Sequence, residues 1–313
     1  MSVAWLFPGQ GAQSVGMAKD VLDVSPAARE VFARADAALG EPLSRLILEG
    51  PEDALTLTAN AQPAIVTTSC AVLAAIRERL PGAALPVPAF AAGHSLGEYS
   101  ALVAAEALTL EDAVRLVRAR GRAMQEAVPS GTGAMAAVMG IEPGKLVELC
   151  AAAAQHEVVS PANFNAPGQI VVAGHAGAVA RLSELVAAEK GKAIPLKVSA
   201  PFHCALMAPA ARVLGETLDT VQVKAPSFPI VANLDAKPNG DAVRVRSLLV
   251  GQVDGAVRWE ESVRFMAGAG VDRALEIGPG KVLAGLVKRT AKEVRVLSVG
   301  DAATLDQIGA FLA

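Results

Sequence analysis

The segment Gly93-His94-Ser95-Leu96-Gly97 follows an apolar run at 87–92 and precedes an apolar, helix-compatible stretch reaching about residue 105. That order of strand, tight turn and helix restricts the chain to folds in which a buried strand feeds a covering helix. The corresponding sheet is open and mainly parallel. The segment also matches the G-x-S-x-G nucleophile elbow in its required context. Glycines permit a sharp turn where a Cβ clashes. The turn lifts Ser95 Oγ out of the sheet, beside the unpaired N–H groups that open the next helix. A helix cap flanked by two turn glycines is the alternative.

Strands and helices alternate along most of the chain. Val3–Phe7 is an apolar run ended by Pro8-Gly9, which predicts a buried strand. Ser25-Pro26 opens a helix to about residue 39, residues 62–80 form a helix stopped by Pro81-Gly82, and Thr109 caps a helix over 111–127. Further helices are expected at 206–220, 241–253, 258–269 and from Lys281. Strands are expected at 229–233 and 274–277, and segments 294–299 and 304–312 close the chain. Between 131 and 198 the order changes. Strand 134–139, helix 143–154, strands 158–163 and 169–174, helix 176–190 and strand 193–198 make β-α-β-β-α-β, a ferredoxin-like unit. The expected fold is therefore α/β. Residues 1–130 and 199–313 build a large subdomain with a mainly parallel sheet, and 131–198 form an inserted ferredoxin-like small subdomain.

Composition removes several function classes. Of 313 residues 52% are hydrophobic and 19% charged, which supports a sizeable core and excludes a disordered chain. With 28 basic against 31 acidic residues, the net charge of -3 argues against a nucleic-acid partner. Three scattered cysteines suit neither a disulfide framework nor a zinc site and point to a reduced, cytoplasmic setting. The N-terminal run lacks the basic start of a signal peptide. No stretch offers the ~18 uninterrupted apolar residues of a membrane span, so no membrane partner is expected. No histidine–carboxylate spacing suggests a metal. Neither Gly9-Gln10-Gly11 nor Gly278-Pro279-Gly280-Lys281 has nucleotide-loop spacing.

A serine nucleophile needs a base. His94 adjoins the serine and points elsewhere, as a packed ring beside the turn. His156 and His175 lie at element ends of the insertion and are expected to be solvated. His203, in Ser199-Ala200-Pro201-Phe202-His203-Cys204, sits where the chain returns to the large subdomain. Such junctions line clefts, which makes His203 the base candidate; a loop histidine packed on Phe202 is the alternative. No acid stands out as a third member, so a neutral group is expected to orient the imidazole.

In the helix over 111–127 the apolar stripe runs Ala113, Leu116, Val117, Met124, Ala127, and Arg120 falls on it. Arg115 can pair with Glu111 at i,i+4. A buried arginine requires an anion, either a protein carboxylate or a substrate carboxylate gripped by two parallel hydrogen bonds. The second makes an acyl group with a free carboxylate the substrate class to test.

Phe7-Pro8-Gly9-Gln10-Gly11, Gly93-His94-Ser95-Leu96-Gly97-Glu98, Arg120-Gly121, Asn163-Phe164-Asn165, Phe202-His203 and Glu276-Ile277-Gly278-Pro279-Gly280-Lys281 occur in this order. Together they resemble the malonyl-CoA:acyl carrier protein transacylases, from the first strand to past residue 290. The resemblance implies a hydrolase-like large subdomain with the ferredoxin-like insertion. It implies ping-pong transfer of malonyl from malonyl-CoA, through Ser95 with His203 as base, to the phosphopantetheine thiol of acyl carrier protein, supplying fatty acid synthesis. By the same resemblance, Arg120 anchors the malonyl carboxylate and the backbone N–H groups of Gln10 and Leu96 form the oxyanion hole. A backbone carbonyl at Gln252 orients His203, and Phe202 restricts branched acyl groups. No permanently bound cofactor is implied. A monomer is the default expectation.

Rival readings are an acyltransferase serving a polyketide synthase or malonate decarboxylase system, a serine thioesterase or esterase, and a non-catalytic carrier-binding scaffold. Carrier proteins are usually acidic, so a basic docking patch is expected, and Lys192, Lys197, Lys281, Lys288 and Arg289 are either that patch or ordinary solvated charges.

Overall fold

A computed structural model describes residues 2–129, 131–198 and 200–313. Ser130 and Ser199, at the expected subdomain boundaries, lie outside the described residues, as does Met1. The strands are β1 (Val3–Phe7), β2 (Phe90–Gly93), β3 (Gly133–Met139), β4 (Val159–Ala166), β5 (Gln169–His175), β6 (Lys192–Pro195), β7 (Ile230–Val231), β8 (Pro238–Asn239), β9 (Arg273–Ile277) and β10 (Arg295–Val299). The large sheet runs β10-β9-β1-β2-β7-β8 and is parallel except at β8. The small sheet runs β4-β5-β3-β6 and is antiparallel throughout. The expected combination of a mainly parallel sheet with a ferredoxin-like unit is present.

β1 lies at the centre of the large sheet, and all five of its residues are buried. Their alternation explains why: Val3, Trp5 and Phe7 enter one apolar cluster, Ala4 and Leu6 the cluster on the opposite face. The principal helices are α1 (Pro26–Leu39), α2 (Thr58–Arg79), α3 (Gly97–Ala104), α4 (Leu110–Glu126), α5 (Pro143–Ala154), α6 (Ala176–Ala188), α7 (Ala208–Leu218), α8 (Ala242–Asp254), α9 (Trp259–Gly268) and α10 (Val282–Thr290). Ser25, Thr109 and Asp241 cap α1, α4 and α8 through their side-chain oxygens. α2 is long and apolar enough to cross a membrane by length and composition, yet most of it is buried inside the protein. α5 and α6 cover the small sheet in a third cluster. β4 joins this unit to the large one: Phe164 N–H donates to Val257 C=O, and Val257 N–H to Ala162 C=O, each at 2.8 Å.

The crossing of α2 and α4 sets up the site. A Cβ on Gly121 would lie 2.7 Å from the Thr58 carbonyl oxygen, so only glycine allows the helices to approach so closely. Pro63, inside α2, has no N–H for the Ala59 carbonyl one turn back. Arg118 of α4 supplies the missing donor at 2.7 Å and also binds Glu41 and Asn60.

Several local expectations change. Glu111 pairs with Arg34 from α1 at 2.8 Å, and Arg115 turns to Asp112 at 3.4 Å and to the Ala38 carbonyl at 3.0 Å. The i,i+4 pairing loses because α1 brings a guanidinium to Glu111 that takes both carboxylate oxygens. The strand expected over 229–233 contracts to Ile230–Val231, because Asn233 turns into the interior. Short helices at Lys19–Val24, Leu43–Glu49 and Glu52–Thr56 carry too few turns for a readable period. His156 is exposed as expected, but His175 is partly buried and accepts from the Val158 N–H at 2.9 Å.

Candidate active site

The site lies at the carboxyl ends of β1 and β2, where open α/β sheets form ligand crevices. Two glycines make the turn after β2 possible. A Cβ on Gly93 would fall 1.9 Å from the Gly97 carbonyl carbon, and one on Gly97 would fall 2.2 Å from the Phe7 oxygen. Between them Ser95 takes φ +51, the left-handed conformation of an elbow. A Cβ on Gly9 would meet the His94 oxygen at 2.6 Å, so the loop bearing Gln10 is pressed against the elbow.

Ser95 Oγ is 2.8 Å from His203 Nε2. His203 Nδ1–H donates to the Gln252 backbone carbonyl in α8 at 2.8 Å. That bond puts the proton on Nδ1 and leaves Nε2 as an acceptor for the serine hydroxyl. Burial, reinforced by the nearby Arg120 cation, pushes the His203 pKa down to about 3, so the ring is neutral and able to take a proton.

Arg120 is 1% exposed. Its Nη1 donates to Gln62 Oε1 at 2.7 Å, and its Nη2 to Gln252 Oε1 at 2.9 Å and to Ser95 Oγ at 3.0 Å. The guanidinium also sits 5.8 Å from the Tyr99 ring centroid. Among the described residues no carboxylate forms a salt bridge with it, and its Nε has no partner. Burial lowers its pKa, the mark of a desolvated cation.

Asn233 braces the elbow. Its Oδ1 accepts from the Ser95 N–H at 2.6 Å, and its Nδ2 donates to the Gly93 carbonyl at 2.7 Å. The Ser95 amide is thereby occupied. The N–H groups of Gln10 and Leu96 have no acceptor among the described residues, which leaves two donors for an incoming oxygen. His94 Nε2 binds Asn165 Oδ1 at 2.8 Å, and its ring centroid lies 5.6 Å from that of Trp259. Its own pKa is lowered, chiefly by burial.

Residues 4–309 match the acyl transferase domain model. A malonyl CoA-acyl carrier protein transacylase from Escherichia coli K12 is 50% identical over 289 residues, covering 91% of this chain and 92% of that one. The crystal structure of an acyl-carrier-protein-S-malonyltransferase from Bartonella henselae superimposes with a TM-score of 0.96 at 46% identity, over 100% and 99% of the two chains. A malonyl-transacylase solved in complex with a type II PKS acyl-carrier protein gives a TM-score of 0.95 at 42% identity, over 99% and 100%. The chain belongs to the malonyl-CoA:acyl carrier protein transacylase family.

In this family member a cavity of about 350 Å³ opens over the serine. Ser95, His203, Arg120 and Gln10 line it, with Met124, Met135, Val171 and Phe202 supplying apolar walls. Lys197 and Arg289 also line the cavity, whereas Lys192, Lys281 and Lys288 are exposed elsewhere on the surface. A larger hollow of about 620 Å³ between α1, α2 and α4 holds no serine–histidine pair, and burial pushes its thiol, Cys70, up to about 12. Among the described residues no cluster of His, Cys, Asp and Glu is arranged to hold a metal.

Ser95, His203, Arg120, Gln252 and Phe202 thus converge from four separate stretches of sequence. Three further residues escape a reading of the sequence, Gln62 as a side-chain ligand of Arg120, Asn233 as the elbow brace and Glu98 behind Gln252, and so does the side-chain role of Gln252. Only Glu98 carried a signal, as a charge in the first turn of an otherwise apolar helix.

Proposed function

We propose that this protein transfers the malonyl group from malonyl-CoA to the phosphopantetheine thiol of an acyl carrier protein through a malonyl-Ser95 ester, supplying fatty acid synthesis. The observation that carries the reading is Arg120. A buried guanidinium whose direct hydrogen-bond partners are all neutral, 3.0 Å from the nucleophile and reached by the Glu98 carboxylate only through the Gln252 amide, has room for an anion in direct contact. The free carboxylate of a malonyl group supplies it, and the anchored acyl group then presents its thioester carbon to Ser95.

The steps follow from the hydrogen bonds. His203 Nε2 takes the Ser95 proton as Oγ attacks the thioester carbon. The carbonyl oxygen becomes an oxyanion facing the Gln10 and Leu96 N–H groups. The C–S bond breaks, and the proton on Nε2 passes to the CoA sulfur. In the second half the pantetheine thiol gives its proton to His203, its sulfur attacks the ester, and Ser95 Oγ leaves with that proton. Throughout, the Gln252 carbonyl holds Nδ1–H and stabilises the imidazolium in place of a carboxylate.

The apolar walls at Met135, Val171 and Phe202 limit water at the ester and crowd an α-branch on the acyl group. The relatives named for malonyl-CoA and acyl carrier protein support both substrates. Three free, buried thiols support a reducing cytoplasmic setting.

The test is intact mass after brief exposure to malonyl-CoA. Wild type is expected to gain one malonyl group, Ser95→Ala none, and pantetheinylated carrier protein is expected to discharge the adduct. An adduct lost to water equally fast with and without carrier refutes transfer. A panel of fatty-acid and polyketide carrier proteins then assigns the pathway.

A further inference from the structure

Glu98 has no part in the steps above, yet it is 3% exposed and sits directly behind the site in the first turn of α3. Its Oε2 accepts two hydrogen bonds, from Gln252 Nε2 at 2.8 Å and from the Asn233 N–H at 3.0 Å. It does not bind Arg120; the Gln252 side-chain amide lies between them. That amide has two chemically different ends. Its Nε2 faces two acceptors, Glu98 Oε2 and the Ser95 carbonyl at 3.1 Å, while its Oε1 faces the Arg120 donor. Turning the amide over would set NH₂ against guanidinium and oxygen against both the carboxylate and the Ser95 carbonyl, three mismatches at once. In its ionised form a carboxylate behind Gln252 only accepts, and in that form it admits one orientation of the amide.

We propose that Glu98 is a positioning residue for malonyl selectivity: it locks the Gln252 amide so that Oε1 faces Arg120 and holds the guanidinium where the acyl carboxylate must dock. Without Glu98 only the Ser95 carbonyl and Arg120 itself orient the Gln252 amide, and one of the two neutral clamps on Arg120 is loosened. Burial raises the Glu98 pKa to about 7, against the pull of its hydrogen-bond donors and of Arg120. A carboxyl buried at that cost beside a binding site is consistent with a positioning task.

This inference rests on the malonyl-transfer reading, and the experiment separates the two. Glu98→Leu, Gln252→Leu and the double variant are compared with wild type by kcat/KM for malonyl-CoA and for acetyl-CoA. Rates are scaled to the acylatable serines counted by intact mass. The Asn233 and His203 contacts serve both donors alike, so the malonyl-to-acetyl ratio isolates Arg120. Each single change is expected to lower that ratio about tenfold, mainly through the malonyl KM, the worth of one charge-assisted hydrogen bond. The double variant is expected to fall no further than either single, because both act on one contact. Should Glu98→Leu fail to fold, Glu98→Asp keeps the charge and withdraws the oxygen by one methylene, with an expected fall of at least about threefold.

An unchanged ratio, or additive effects in the double variant, overturns the positioning role while leaving malonyl transfer intact. Wild type that forms no malonyl adduct overturns both.

Discussion

Replacing Arg120 by alanine tests the reasoning most directly. The guanidinium is buried, and its partners are the Gln62 and Gln252 side-chain oxygens and Ser95 Oγ. On the proposed reading a malonyl carboxylate gains two charge-assisted hydrogen bonds from it, at about 1.5–3 kcal/mol each. Their loss amounts to roughly 3–6 kcal/mol, or about a 10²- to 10⁴-fold fall in kcat/KM for malonyl-CoA. The carboxylate does not change during the chemistry, so most of the effect belongs in KM. Acetyl-CoA has no carboxylate and should lose about tenfold or less, from the disturbed Ser95 hydroxyl.

The fold should survive. The two glutamine oxygens lose a donor, at a cost of roughly 1–3 kcal/mol each, and the desolvated charge they served goes with it. Steady-state transfer from both donors, alongside a thermal melt, reads these quantities separately. A folded Arg120→Ala protein with unchanged malonyl preference would falsify the anchoring role and with it the substrate class argued from the missing anion.

Two other expectations concern the base and the helix crossing. His203→Ala should nearly abolish burst acylation of Ser95. Because burial holds the folded-state pKa at about 3, below the ordinary 6.5, the unfolded chain binds this proton first. Stability attributable to His203 is therefore present above pH 6.5 and lost as pH falls towards 3. Melts across that range should slope less for His203→Ala than for wild type, and equal slopes would show that the ring is not buried neutral. Gly121→Ala places a Cβ 2.7 Å from the Thr58 oxygen, so α4 must back away from α2 and carry Arg120 with it. The expected result is a several-fold higher malonyl KM with a destabilisation of about 1–3 kcal/mol; a normal KM with normal stability refutes the close-crossing argument.

The sequence alone determined what local pattern can carry. The elbow was readable because the same glycines that mark it are the ones whose Cβ atoms would collide with Gly97 and Phe7. The ferredoxin-like unit was readable because its strands and helices follow one another along the chain with distinct periods. Arg120 was readable because a charge on an apolar helical stripe contradicts its own face. His203 was narrower, a choice among four histidines settled by its place in the chain.

Tertiary structure decided everything whose partner is distant in sequence. Arg34 reached Glu111 across 77 residues and displaced a local pair, and Asn233 reached Ser95 across 138. The resemblance reaches Gln252 only through its backbone carbonyl; its side chain, which binds Arg120, Glu98 and the Ser95 carbonyl, leaves no trace in the pattern around it. The physical reason is common to these cases. Apolar burial and glycine geometry leave a periodic or local imprint on the chain, whereas a hydrogen bond is made wherever folding brings a donor to an acceptor. The frame of this site is therefore written in its sequence, and the orientation of its polar groups arises only when the elements pack.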